Sequence, residues 1–190
     1  NRECHHGTHD CVLRYSLKEL LSNPEVTPIW DIPAKRGKIV GIMNIPTTFP
    51  APQINGFFVS GAGGGVNKVD GIPSELCHPE GIVQTLNDLG YIVDIRMGTA
   101  GIKDIQILFD KLNHMLERRI TAFLELCNQH APDFGFLAIR ATTVIQYLAM
   151  SEIDAYFRYK DGQLSSQEIN QHAIWFENLE KHYALLDISF

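Results

Sequence analysis

The chain carries 190 residues, 45% of them hydrophobic and 20% charged, enough apolar material to bury a core as one domain or one large part of one. A formal net charge of -6 at pH 7 argues against a nucleic-acid partner held by counterion release, which needs a broad positive face. No apolar run approaches the ~20 residues of a membrane span, and the four cysteines (Cys4, Cys11, Cys77, Cys127) are scattered without a C-x-x-C pair, so buried free thiols are expected.

Residues 1–26 read as an irregular polar segment. It holds Cys4-His5-His6-Gly7-Thr8-His9-Asp10-Cys11, in which His5, His6, His9 and Asp10 are ligand types that zinc accepts. Their spacing fits no closed zinc pattern, because the two cysteines lack a second close pair, and a surface turn is the plainer expectation. The chain opens at Asn1 without a methionine and without the layout of a signal peptide, which suggests a start inside a longer protein.

Thr27 as N-cap and Pro28 at the first helical position open a helix, with Trp30 and Ile32 on its inner face. Pro33 removes a backbone donor, so that helix is expected to be short or bent and to end at Gly37. Residues 38–44 (KIVGIMN) form the first strong strand candidate. A loop with three prolines, Pro46, Pro50 and Pro52, then holds an extended path. A second strand follows at 56–60. Gly61-Ala62-Gly63-Gly64-Gly65 lacks the Gly-Lys-Ser/Thr of a phosphate loop and reads as flexible surface.

His78-Pro79-Glu80 begins a helix to about Leu89, closed by Gly90. Tyr91 to Ile95 is a third strand candidate. From Lys103 the apolar positions Ile105, Leu108, Phe109, Leu112, Leu116, Ile120, Phe123, Leu124 and Cys127 recur every three or four residues to about His130. That is a long amphipathic helix, with Met115 as a packing residue and His114 in solvent.

The run Phe134-Gly135-Phe136-Leu137-Ala138-Ile139 reads as a strand buried on both faces. After Arg140 come Thr142, Thr143, Gln146 and Tyr147, where open α/β sheets place their ligands. These are hydroxyls, an amide and a phenol, with no carboxylate or imidazole. A short helix through Ile145 to Met150 follows. Ser165-Ser166-Gln167-Glu168 makes a capping box for a last helix to about Leu186, with Ile169, Ala173, Phe176, Leu179 and Tyr183 inward. Alternating strands and helices predict an α/β fold with a mostly parallel sheet flanked by helices.

The segment from Gly41 to Pro50, continued by Ile54 to Gly61, resembles the N-V-P-x-T-Y-P-P-x-x-V-N-G-F-x-V-S-G run of the type I phosphodiesterase / nucleotide pyrophosphatase family, within the alkaline phosphatase superfamily. Other blocks are similar in the same order. His6-Gly7-Thr8-His9-Asp10-Cys11 resembles H-G-I-F-D-F, Thr27 to Lys38 resembles P-T-I-W-D-I-L-x-x-x-G-K, and Cys77-His78-Pro79-Glu80 resembles Y-P-P-E. Asp133 to Tyr147 resembles the strand plus T-D-R-x-Q-H, and Leu179 to Leu186 resembles the helix beyond it.

The resemblance implies an alkaline-phosphatase-like sheet, incomplete at both ends of this chain. It also implies a threonine nucleophile and two zinc-type cations clamping the attacking and leaving oxygens. Carried over residue by residue, the metal aspartate falls at Thr143, the following arginine at Val144 and the metal histidine at Tyr147, while Thr142 and Gln146 match. Neutral oxygens do not replace a carboxylate and an imidazole on a divalent cation. The nucleophile, the first metal aspartate, an Asp-His pair and the last histidine would lie outside residues 1–190. The expectation is therefore no cofactor in this chain, a structural or interaction role, and another polypeptide covering the incomplete sheet. The alternative is part of an active two-zinc phosphodiesterase whose other groups come from unseen chain.

Overall fold

The structure, a computed structural model, describes residues 22–61, 71–95 and 104–187 in full, with the backbone alone of 2–4, 11–13 and 188. The chain divides into two units, Asn1–Val83 with Leu126–Ala138, and Gln84–Glu125 with Ile139–Phe190. Within 1–26, expected to be irregular, the backbone forms an antiparallel pair of strands. β1 (Arg2–Cys4) and β2 (Cys11–Leu13) pair in a register that sets Cys4 opposite Cys11.

The helix expected from Thr27 is a single turn, α1 (Asp31–Ala34), which begins after Trp30. Pro33 offers no N–H, and Gly37, at φ +73°, ends the turn that follows. Trp30 is buried and meets Phe58 edge-on, ring centroids 5.2 Å apart. Ile32, expected inside, is exposed. Residues two apart on a helix point to nearly opposite sides, so Trp30 and Ile32 do not share an inner face.

Among the described residues the main sheet of the first unit has four strands in the order β5-β4-β3-β6: β3 (Val40–Ile45), β4 (Gly56–Ser60), β5 (Cys77–His78) and β6 (Phe134–Leu137). β3 runs parallel to both β4 and β6, and β5 lies antiparallel to β4. This mixed, mostly parallel sheet, with the helices that follow it in the chain, makes the fold α/β. The central position of β3 explains its composition. Val40, Ile42 and Met43 are wholly buried, as a strand with neighbours on both sides requires. Val40, Ile42, Phe58 and Trp30 form one core cluster, with Ala34, Ile45, Ala51, Ile54 and Phe134 packed against it. At the starts of β3 and β6, Asp133 accepts from the Ile39 amide (2.9 Å) and from Lys38 Nζ (3.0 Å). Those two bonds hold its carboxyl below the usual range.

β6 corrects a second expectation. Its apolar run was read as buried on both faces, yet Gly135 and Phe136 are exposed. β6 sits at the edge of the sheet, and a continuous apolar run alone does not distinguish an edge from a centre.

Helix α2 (Ile82–Asp88) leads into the second unit and closes at Gly90, φ +64°. The strand expected at Tyr91 to Ile95 does not form. Arg119 occupies the carbonyls of Ile92 (3.1 Å) and Val93, so these two acceptors are satisfied by a guanidinium instead of a neighbouring strand.

That arginine belongs to α3 (Ile105–His130), on which Leu108, Phe109, Leu112, Met115, Leu116 and Ile120 are buried and His114 is exposed, as expected. Leu124, expected in the stripe, is exposed. Three helices follow: α4 (Ala141–Leu148), α5 (Met150–Lys160) and α6 (Ser166–Ile188). α4 is the short helix expected through Ile145 to Met150, and α5 is a further helix that the sequence does not predict. It packs on α6 through Tyr156 and Tyr159 against Phe176, with ring centroids 5.7 and 5.1 Å apart. Ala173, expected inward, is exposed, because the buried stripe of α6 is centred on Phe176, Leu179 and His182 and leaves Ala173 at its rim. No helix among the described residues is long and apolar enough to cross a membrane.

The capping box at the start of α6 is present. Ser165 donates from its amide (2.9 Å) and its hydroxyl (2.7 Å) to Glu168, whose amide lies 3.4 Å from Ser165 Oγ. Ser165→Ala is expected to lower stability by about 1 kcal/mol in urea titrations, while Ser165→Asp, which keeps an N-cap acceptor, stays close to the parent.

Candidate functional site

The carboxyl ends of β3 and β4, where an open α/β sheet would take a ligand, are occupied by structural bonds. Thr48 Oγ1 donates to Ile45 O (2.7 Å) and Ser60 Oγ donates to Thr48 O (2.9 Å). The Gly61 amide donates to Ile45 O (3.0 Å) and lies 3.4 Å from Thr48 Oγ1. Asn44 is buried with φ +68°, a left-handed conformation that asparagine tolerates better than most residues. At the other end of the same run, Asn55 Nδ2 donates to Lys38 O (3.1 Å) and Asn55 O accepts from the Val40 amide (2.8 Å). Thr48, Asn55, Ser60 and Gly61 therefore pin the crossover between two parallel strands. None of them is an acid, a base or an activated nucleophile.

The first unit also has a shallow, open hollow of about 490 Å³ lined by Asp31, Ala34, Lys35, Gln53, Ile54, Asn55 and His78. Its two opposite charges already face each other, Lys35 Nζ lying 3.8 Å from Asp31 Oδ2 with both side chains in solvent. Such a pair is screened by water and gives no poised group.

In the second unit, Thr143 and Tyr147 are four residues apart on α4 and lie on its outer side. Both are exposed, Tyr147 at 87%. Gln146 is exposed as well. Thr142, one residue earlier, turns inward instead. Two neutral oxygens in bulk water do not make a site for a divalent cation. His5, His6, His9 and Asp10 lie outside the described residues. Among the described residues, no group of three or more His, Cys, Asp or Glu side chains is placed to hold a metal ion.

Neither thiol among the described side chains is activated. Burial pushes the Cys77 thiol up to about 12 and raises Cys127 too, so both remain protonated near neutrality.

One polar cluster escaped the sequence reading. His182 of α6 is wholly buried, with Nδ1 2.7 Å from Asn113 Oδ1 of α3 and Nε2 3.1 Å from Thr142 Oγ1 of α4. Asn178, one turn earlier, is also buried. It donates to Gln106 Oε1 (3.2 Å) and to Ile174 O (2.8 Å). The offsets of 72 and 69 residues are nearly constant, so α6 runs in the same direction as α3 at this contact. The signal was present in the sequence: Trp175, Asn178 and His182 follow helical spacing along the side that also carries Leu179. No protein-family model, no curated protein and no solved structure matches this chain.

Proposed function

We propose that this chain is a phosphodiesterase-like domain of the alkaline-phosphatase type that does not itself hydrolyse phosphodiesters and serves as a structural or interaction subunit. The observation that carries this reading is the exposed pair Thr143 and Tyr147 on α4, at the positions where the resemblance calls for an aspartate and a histidine. A hydroxyl and a phenol are poor compensation for stripping water from a divalent cation. The bonded strand ends around Thr48 and Ser60 support it, since among the described residues none of the groups bonded there is ionisable. The interaction half of the reading rests on β6. Phe134-Gly135-Phe136-Leu137 is an apolar edge without a lysine or proline to guard it, and such an edge accepts a further strand from another polypeptide.

The test is hydrolysis of a nitrophenyl phosphodiester by the purified chain, with and without added zinc. No release above the buffer rate is expected. The double variant Thr143→Asp, Tyr147→His is expected to gain zinc affinity by titration calorimetry without gaining turnover, because a nucleophile is still lacking. Zinc-dependent nitrophenol release by the unmodified chain would overturn the reading. It would favour the alternative, part of an active metal-dependent phosphodiesterase.

A further inference from the structure

His182 is buried with both ring nitrogens engaged by partners on two other helices. The Asn113 oxygen only accepts, so Nδ1 carries the proton and Nε2 keeps its lone pair for the Thr142 hydroxyl. Burial favours this neutral form of the imidazole, which joins α6 to α3 and α4 at one point. Its other close neighbours are the rings of Phe109 and Tyr183, at 6.4 and 5.8 Å between centroids.

We propose that His182 is an acid-sensitive latch, in which a proton taken up by the buried ring releases α6 from α3 and α4. The protonated ring would donate from both nitrogens, which the Thr142 hydroxyl accommodates by turning round, but no carboxylate among the described residues stands against its charge. From α3, Asn113 and Phe109 face the ring, and Asp110, Lys111, His114 and Glu117 on adjoining turns are exposed. From α4 comes only Thr142. The titratable groups at that helix are Tyr147, in solvent, and Arg140 just before it, which binds Asp94. On α6 itself, Glu177 pairs with Lys181 and Glu180 pairs with Lys160, all in solvent. His172, the other histidine of α6, makes the contrast. Its Nδ1 is bonded to the Glu152 carboxylate, so that ring, unlike His182, has an acid beside it.

Burial holds the His182 ring at a pKa of about 4, against an ordinary value of 6.5. Between those values the unfolded helix binds the proton and the docked one does not. The contribution is therefore fully present above pH 6.5 and is lost as pH falls toward 4. At pH 5 the released form should be about 30-fold more populated than at pH 7.5.

Hydrogen exchange of the full chain at these two pH values, corrected for intrinsic chemistry, reads this directly. Peptides spanning Asn178 and His182 are expected to lose protection about 30-fold at pH 5. Glu168 and Glu180 are held below the usual carboxylate range, so both remain ionised there. His182→Gln, whose amide donates and accepts to the same two partners, should show no acid loss. Asn113→Asp, which sets a carboxylate against Nδ1 and supplies the missing countercharge, should suppress the loss as well. Equal protection of the unmodified chain at both pH values would overturn the latch, and so would an undiminished acid loss in either variant.

Discussion

Gly56→Ala and Gly61→Ala are each expected to remove roughly 3 kcal/mol or more of stability, enough to prevent β3 and β4 from pairing in a marginal fold. A Cβ at Gly61 would stand 2.4 Å from Asn44 O and 2.5 Å from Ile45 O. One at Gly56 would stand 2.1 Å from Val40 O, on a backbone at φ +128° that side chains rarely adopt. The obstacles are main-chain atoms of the central strand, so no rotamer change relieves them. Gly81→Ala is the control, because its Cβ would meet nothing within 4 Å and its φ is not in the left-handed region. It should stay within about 0.5 kcal/mol of the parent. Urea titrations followed by far-ultraviolet circular dichroism compare the three. A loss below about 1 kcal/mol at Gly61 would mean that the β3 end shifts easily, against the bonds drawn from Thr48 and Ser60.

These two glycines also show what the sequence could and could not convey about the site. The run from Asn44 to Gly61 is the most specific stretch of the chain and the one on which a family resemblance was read. In the structure Thr48, Asn55, Ser60 and Gly61 bind one another and the backbone, so the motif reports a tightly constrained crossover. Distinctive spacing arises wherever geometry is demanding, whether for catalysis or for two parallel strands joined by a short stiff loop.

Elsewhere, legibility followed how local the determining interactions were. The capping box at Ser165 and Glu168, the stop at Gly90 and the long stripe of α3 depend on neighbours a few residues away, and all three were legible. The edge position of β6 depends on strands far off in sequence and was not. α5 is not legible in the sequence, because its inward residues Ile153 and Ala155 are few and its packing comes from Tyr156 and Tyr159 against a different helix. At the candidate site the sequence names the side chains but not their direction. Thr142 and Thr143 are indistinguishable in composition, and only the phase of α4 sends one inward to His182 and the other to solvent.

The failed strand at Tyr91 to Ile95 leads to the second large effect. Its sequence, Tyr-Ile-Val-Asp-Ile, has every local mark of a strand, and what it lacks is a strand to pair with. Arg119 takes that place from α3. Its side chain is buried, with its forked N–H groups on Ile92 O and Val93 O, and burial lowers its pKa against the opposing pull of Tyr91 and Asp94. Arg119→Met keeps much of the length and apolar stem while leaving two carbonyls without their donor. It is expected to lose roughly 2–4 kcal/mol. Arg119→Lys should recover only part of this, since one ammonium lacks the rigid planar fork that reaches both oxygens. Amide exchange across 91–95 should quicken in both variants, more in the methionine one, and urea midpoints should fall in the same order. A methionine variant within about 0.5 kcal/mol of the parent would show that water satisfies these carbonyls, and that apolar packing of Tyr91, not the guanidinium, holds the segment in place.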